Sequence, residues 1–126
     1  MRWNVAANPA TPSDILRTLS SDNDPGVRQF VAENPAAPVE ELIRLASDDL
    51  LSVRAQVAWN PSTPAEVLRK LASDDDEFVR GRVAWNRSTP VEVLWSFVGD
   101  DPSGVPSDAR VRLRTRSLTR FSGHLT

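Results

Sequence analysis

Asn60 to Trp85 reads NPSTPAEVLRKLASDDDEFVRGRVAW, and variants of the same phrase begin at Asn34 and at Asn8, steps of 26 residues. The shared pattern is N-P-x-[TA]-P-x-[DE]-x-L-x-x-L-[AS]-S-D-x-x-x-x-V-R-x-x-V-A-x, and it starts again at Asn86, where Arg87 replaces the proline. A fixed period between about 20 and 50 residues marks stacked units, each too small to bury its apolar face alone.

Within a unit, Thr63-Pro64-Ala65-Glu66 predicts a helix start, with an N-cap hydroxyl, proline at N1 and a glutamate closing a capping box. Thr11-Pro12-Ser13-Asp14 and Thr89-Pro90-Val91-Glu92 repeat it. Ala37 lacks the hydroxyl, which predicts a start weaker by about 1 kcal/mol. The first helix is expected to run about nine residues and to turn inward Leu16/Leu19, Leu42/Leu45, Leu68/Leu71 and Leu94/Phe97. A second helix is predicted to begin at Ser21-Asp22, Ser47-Asp48 and Ser73-Asp74. Asp75, Asp76 and Glu77 would then fall in its first turn, complementing the positive end of the helix dipole. Val27/Val31, Val53/Val57 and Val79/Val83 stand at i, i+4 and form its buried stripe. Asn34 and Asn60 are expected to end it in the left-handed conformation, with the following proline blocking continuation. Two helices per step and no strand pattern predict an all-α solenoid of about four 26-residue repeats.

In each unit an aspartate precedes an arginine by six residues: Asp22–Arg28, Asp48–Arg54 and Asp74–Arg80. Stacking brings each arginine near the second-helix start of a neighbouring unit, where its fork can bridge successive repeats. The rival reading is an arginine row that binds an anionic ligand.

These residues resemble the leucine-rich repeat variant family, whose units read N-P-x-T-P-x-x-x-L-x-x-L-A-x-D-x-x-x-x-V-R-x-x-V-A-x-N, over residues 8–98. The resemblance implies a right-handed superhelix of the armadillo/HEAT class, with the proline-started helix the 3₁₀-prone one. It implies no catalytic activity, and members of that class mostly bind other macromolecules. The cysteine-ligated iron–sulfur cluster known in the family has no ligands here, because the chain has no cysteine. No cofactor is expected.

The composition fits one soluble domain: 126 residues, 40% apolar, 25% charged, formal charge −2. The charge is unevenly spread, with ten basic and sixteen acidic residues over 1–106 but five arginines and one aspartate over 107–126. Without cysteine, disulfides and thiolate chemistry are excluded. There is no apolar run long enough for a membrane span and no signal region after Met1, so a cytoplasmic setting is expected. Neither a P-loop, a glycine-rich dinucleotide turn nor a nucleophile elbow occurs, and the lone His124 has no companions for catalysis. Asp22-Asn23-Asp24-Pro25-Gly26 faintly echoes a calcium loop. The glycine falls at position five instead of six, and Pro25 and Val27 intrude, so the segment is read as a helix start.

The ends depart from the repeat. Met1-Arg2 aligns with Val27-Arg28, so residues 1–7 read as half a repeat, followed by full repeats at 8–33, 34–59 and 60–85 and a half repeat at 86–98. Repeat stacks need polar caps, and this start has none; a truncated beginning or self-association through the open N-terminal face would account for it. Residues 99–106 read as an inserted loop and 107–126 as a divergent Arg-rich cap or tail.

Positions that differ between units carry the functional expectation. On the second helix, Gly26/Ser52/Phe78, Phe30/Gln56/Arg82 and Glu33/Trp59/Trp85 vary at i, i+4 and i+7, which is one helical face. In armadillo-class solenoids that face lines the concave surface. Phe30, Gln56, Trp59, Phe78, Arg82 and Trp85 are therefore the candidate partner-binding residues, with Trp and Arg the types most enriched at hot spots. The alternative is that each tryptophan packs on the adjacent Asn-Pro junction as a spacer. The reading is a non-catalytic scaffold for protein–protein interaction. Its rival is nucleic-acid binding through the concave aromatics and through Arg110, Arg112, Arg114, Arg116 and Arg120 as phosphate contacts.

Overall fold

Proline behind Asn8, Asn34 and Asn60 forbids helix continuation, Arg87 stands in its place behind Asn86, and the helices are short. The computed structural model describes residues 1–99. Among them the chain is all-helical, with eight helices: α1 (Arg2–Ala7), α2 (Ser13–Leu19), α3 (Pro25–Glu33), α4 (Val39–Leu45), α5 (Leu51–Trp59), α6 (Ala65–Leu71), α7 (Glu77–Trp85) and α8 (Val91–Gly99). None is long and apolar enough to cross a membrane. Of the predicted loop 99–106, Gly99 instead ends α8; residues 100–106 and the predicted cap or tail 107–126, with Arg110, Arg112, Arg114, Arg116 and Arg120, lie outside the described residues.

α1, α3, α5 and α7 pack in series, each against the next, and α2, α4 and α6 lean on that series from the connections between its members. The core is the predicted one except at Phe97, which is only partly buried against it. Leu16, Leu42, Leu68 and Leu94 of the proline-started helices are fully buried, as are the valine pairs of α3, α5 and α7. Each fully buried Val or Leu side chain is worth about 1.5–3 kcal/mol of transfer free energy.

Several local expectations fail, at the threonines and asparagines because the junction side chains pair with a neighbouring element, and at the aspartates because they close a turn ahead of the helix. Pro12, Pro38 and Pro64 are themselves the N-caps, in extended conformation, of α2, α4 and α6. Thr11 and Thr63 therefore do not cap α2 and α6, and Thr89 stands at the matching place before α8. Their hydroxyls donate backward to the carbonyls of Val5, Val57 and Val83, at 2.5, 2.6 and 2.6 Å, satisfying the open ends of the preceding helices. The hydroxyl that Ala37 lacks would, by analogy, have served Val31. α2, α4 and α6 are seven-residue α-helices, shorter than expected, and no 3₁₀ helix occurs among the described residues. Their first turns already close α-type bonds, such as Leu68 N–H to the Pro64 carbonyl at 3.1 Å.

The second helices likewise begin later than Ser-Asp. Asp22, Asp48 and Asp74 accept from the backbone N–H two residues on, at 2.9, 3.0 and 2.9 Å, closing Asx turns. The helices then start at Pro25, Leu51 and Glu77, so of the acids 75–77 only Glu77 stands in the first turn, while Asp76 is the N-cap. Asp24 caps α3 through the Gly26 N–H at 2.8 Å, so the calcium-like stretch is a turn and a helix start.

Asn34, Asn60 and Asn86 are the C-caps but are extended, with φ of −71°, −65° and −73°, and no residue among those described has the left-handed φ. Their value lies in the side chain. Asn60 Nδ2 donates to the carbonyls of Ala32 and Asn34 at 2.8 and 2.9 Å. Asn34 does the same to Ala6 and Asn8, and Asn86 to Ala58 and Asn60. Oδ1 of each accepts from the N–H two residues ahead. Each buried amide thus stitches its junction to the one 26 residues earlier.

The arginine row is structural as well. Arg28 Nε donates to Asp48 and Arg54 Nε to Asp74, both at 2.8 Å, and Nη1 of each donates to the carbonyl of its own unit's aspartate at 2.7 Å. Arg2 pairs with Asp22 in the same way at 3.1 Å. Arg80 Nη1 donates to the Asp74 carbonyl at 2.6 Å. These bonds engage the row within the chain and favour the bridging reading over the anion-binding one.

Candidate interaction face

Side chains at i, i+4 and i+7 on one helix share a face, and α7 presents Phe78, Arg82 and Trp85 in that register. Trp59, the last residue of α5, meets them from the adjacent helix of the series. The Arg82 guanidinium carbon lies over the Trp59 ring, 4.7 Å from its centroid, and over the Phe78 ring at 4.9 Å. Each such contact is worth about 0.5–1 kcal/mol at an exposed site. The arginine therefore joins an aromatic from α5 to one from α7. All three aromatics remain open to solvent: Trp59 is 45% exposed, Phe78 53% and Trp85 39%. Each tryptophan thus keeps part of its ring open to solvent while the rest of its surface is covered. Gln56 is half-buried on α5, one turn before Trp59.

Phe30 belongs elsewhere. It is partly buried against the core, and its ring meets Trp3 of α1 with centroids 5.8 Å apart at 46°. Trp3 was not among the predicted residues. Its indole N–H donates to Asp24 at 2.8 Å, and its ring crosses the start of α3 so closely that a Cβ on Gly26 would lie 2.8 Å from Trp3 Cζ2. The column Gly26/Ser52/Phe78 held the signal: glycine stands where a neighbour's ring needs the space, and phenylalanine where the ring is the residue's own. The indole hydrogen bond, then the Gly26 N–H and the nearby Arg2 charge, hold the Asp24 carboxyl below the usual aspartate range. Trp95 on α8 is a further exposed aromatic, 48% open, that the repeat columns did not single out.

Residues 1–99 carry ten basic and fourteen acidic side chains, so Arg82 is a local positive point on an acidic body. Among the described residues no group of three or more His, Cys, Asp or Glu is placed to hold a metal ion. The exposed set offers apolar area and one fixed cation, which suits recognition of another molecule.

The leucine rich repeat variant family model matches residues 52–76, from the first turn of α5 through α6 to the cap of α7. No curated protein and no solved structure matches the chain.

Proposed function

We propose that the chain is a non-catalytic, cytoplasmic scaffold, a right-handed α-solenoid of about four 26-residue repeats that holds a protein partner on the face of its second helices. The observation that carries this reading is the cluster of Trp59, Phe78 and Trp85, each more than a third exposed, around an arginine held over two of the rings. Solvent-facing Trp and Arg in one patch are the residue types that dominate protein–protein hot spots. An array of stacked repeats supplies the extended surface on which a partner chain can lie.

The test is selection of peptides from a displayed library on the full chain. Ligands selected on the wild type are expected to weaken about tenfold or more on Trp59→Ala/Phe78→Ala. They should be unchanged on Val39→Ala/Ile43→Ala, which removes exposed apolar groups from α4. Ligands indifferent to the first pair would overturn the reading. So would tight binding of duplex DNA with a log–log salt slope near about −4, the signature of four or five phosphate contacts.

A further inference from the structure

We propose that Arg82 is a pre-positioned carboxylate anchor, and that the partner is an apolar peptide segment with a single Asp, Glu or terminal carboxylate that binds the guanidinium edge while its apolar side chains pack on Trp59, Phe78 and Trp85. This rests on the interaction face described above and adds the chemistry of its occupant.

The contrast among the arginines carries the argument. Arg2, Arg17, Arg28, Arg44, Arg54 and Arg69 each pair with a carboxylate of the chain itself. Arg82 has no hydrogen bond or ion pair within the described residues; its contacts are the two rings. A guanidinium lying on aromatic faces keeps its N–H donors in its own plane, at the edge, and that edge matches a carboxylate with two parallel hydrogen bonds. Contact with two rings restricts the long side chain before any ligand arrives, so less rotamer freedom is lost on binding.

Charge then discriminates between ligand classes. A basic peptide would need the ring faces that Arg82 already covers, and would meet its positive charge. A nucleic-acid strand would bring many phosphates onto residues 1–99, which carry fourteen acids against ten bases, and the start of α7 gathers Asp74, Asp75, Asp76 and Glu77. Repulsion accumulates along a polyanion. A single carboxylate flanked by apolar residues meets only Arg82 and the rings.

The experiment uses the full chain and synthetic twelve-residue peptides of Leu and Phe in which one central position is Glu, Gln or Lys, with ends blocked, read by fluorescence anisotropy. The Glu peptide is expected to bind about tenfold tighter than the Gln peptide and tighter still than the Lys peptide. Arg82→Gln should abolish the Glu-over-Gln preference, and Arg82→Lys should lose most of it, because a point charge replaces a fork. Circular dichroism of both variants should match the wild type. Equal binding of all three peptides, still lost on Trp59→Ala/Phe78→Ala, would overturn the carboxylate anchor and leave the interaction face standing. Binding of no peptide, or binding untouched by the aromatic pair, would overturn both. Displacement of the Glu peptide by single-stranded DNA at equal concentration would assign the edge to phosphate and also refute the proposal.

Discussion

Asn34, Asn60 and Asn86 make the same pair of hydrogen bonds at three successive junctions, whereas Gly26, Ser52 and Phe78 change at every step of the second helices. The two regions obey different constraints. At a junction, backbone carbonyls freed by a helix end are buried, and a buried acceptor left unpaired costs about 1–3 kcal/mol. Only a short amide with two donors reaches both the Ala32 and Asn34 carbonyls, so the same residue returns each time. On the second-helix face no buried backbone carbonyl depends on these side chains. Side chains there answer to a neighbour's ring, as Gly26 does to Trp3, or to solvent and a partner, as Phe78 does.

The largest expected effect tests the buried side of that contrast. Asn60→Ala strands the Ala32 carbonyl, leaves the Asn34 carbonyl with only the Ala37 N–H and takes the acceptor from the Ser62 N–H, and should cost about 3 kcal/mol in chemical denaturation. The same change at Asn8, whose side chain only accepts from the exposed Ala10 N–H, should cost well under about 1 kcal/mol. Equal losses at the two sites would break the comparison. Next comes Arg54→Ala, which leaves the Asp74 carboxylate, with only 10% side-chain exposure, without its counter-ion. A loss of about 2 kcal/mol is expected, with Arg54→Lys recovering part of it because it keeps charge but not the fork.

Smaller effects sharpen the other side. Gly81 lies mid-helix on α7 with open space where a Cβ would go, so Gly81→Ala should stabilise by about 0.5–1 kcal/mol. Gly26→Ala should show no such gain, because its Cβ drives the Trp3 indole away from Asp24; thermal melts of the two variants decide the matter. The smallest effect is electrostatic. Asp24 titrates below its ordinary range in the folded chain, so its contribution is complete at neutral pH. That contribution fades as pH falls below the unfolded aspartate value and is gone below the folded one. Trp3→Phe removes the indole N–H and leaves a ring, so the gap in melting temperature between it and the wild type should narrow under acid. A gap that widens as pH falls would contradict the assignment.

Much of this was legible in the repeat. Leucine and valine spacing identified the helices and their buried faces, since a position that must be apolar in every unit reveals itself by recurrence. The aspartate–arginine interval of six announced the bridge between units. The helix boundaries differ because capping rules assign Thr63, Asp74 and Asn60 to their own helix ends, whereas Thr63 and Asn60 donate to carbonyls of the preceding helix or unit and Asp74 accepts from its own turn and from Arg54 of the preceding unit. The six candidate face residues were separated by a feature that no column displays: Phe30 meets Trp3, a residue of the first half-unit, while Trp59 and Phe78 meet through Arg82.

The linear order of residues determined where helices start and stop to within a few positions, which side chains enter the core, and which columns are free to vary. Those depend on local dihedral preferences and on apolar periodicity, both of which are properties of short stretches. Only the tertiary structure decided which polar groups pair across units and which exposed rings share a cation. Those outcomes turn on distances between residues some twenty or more positions apart, and stacking alone brings such residues together.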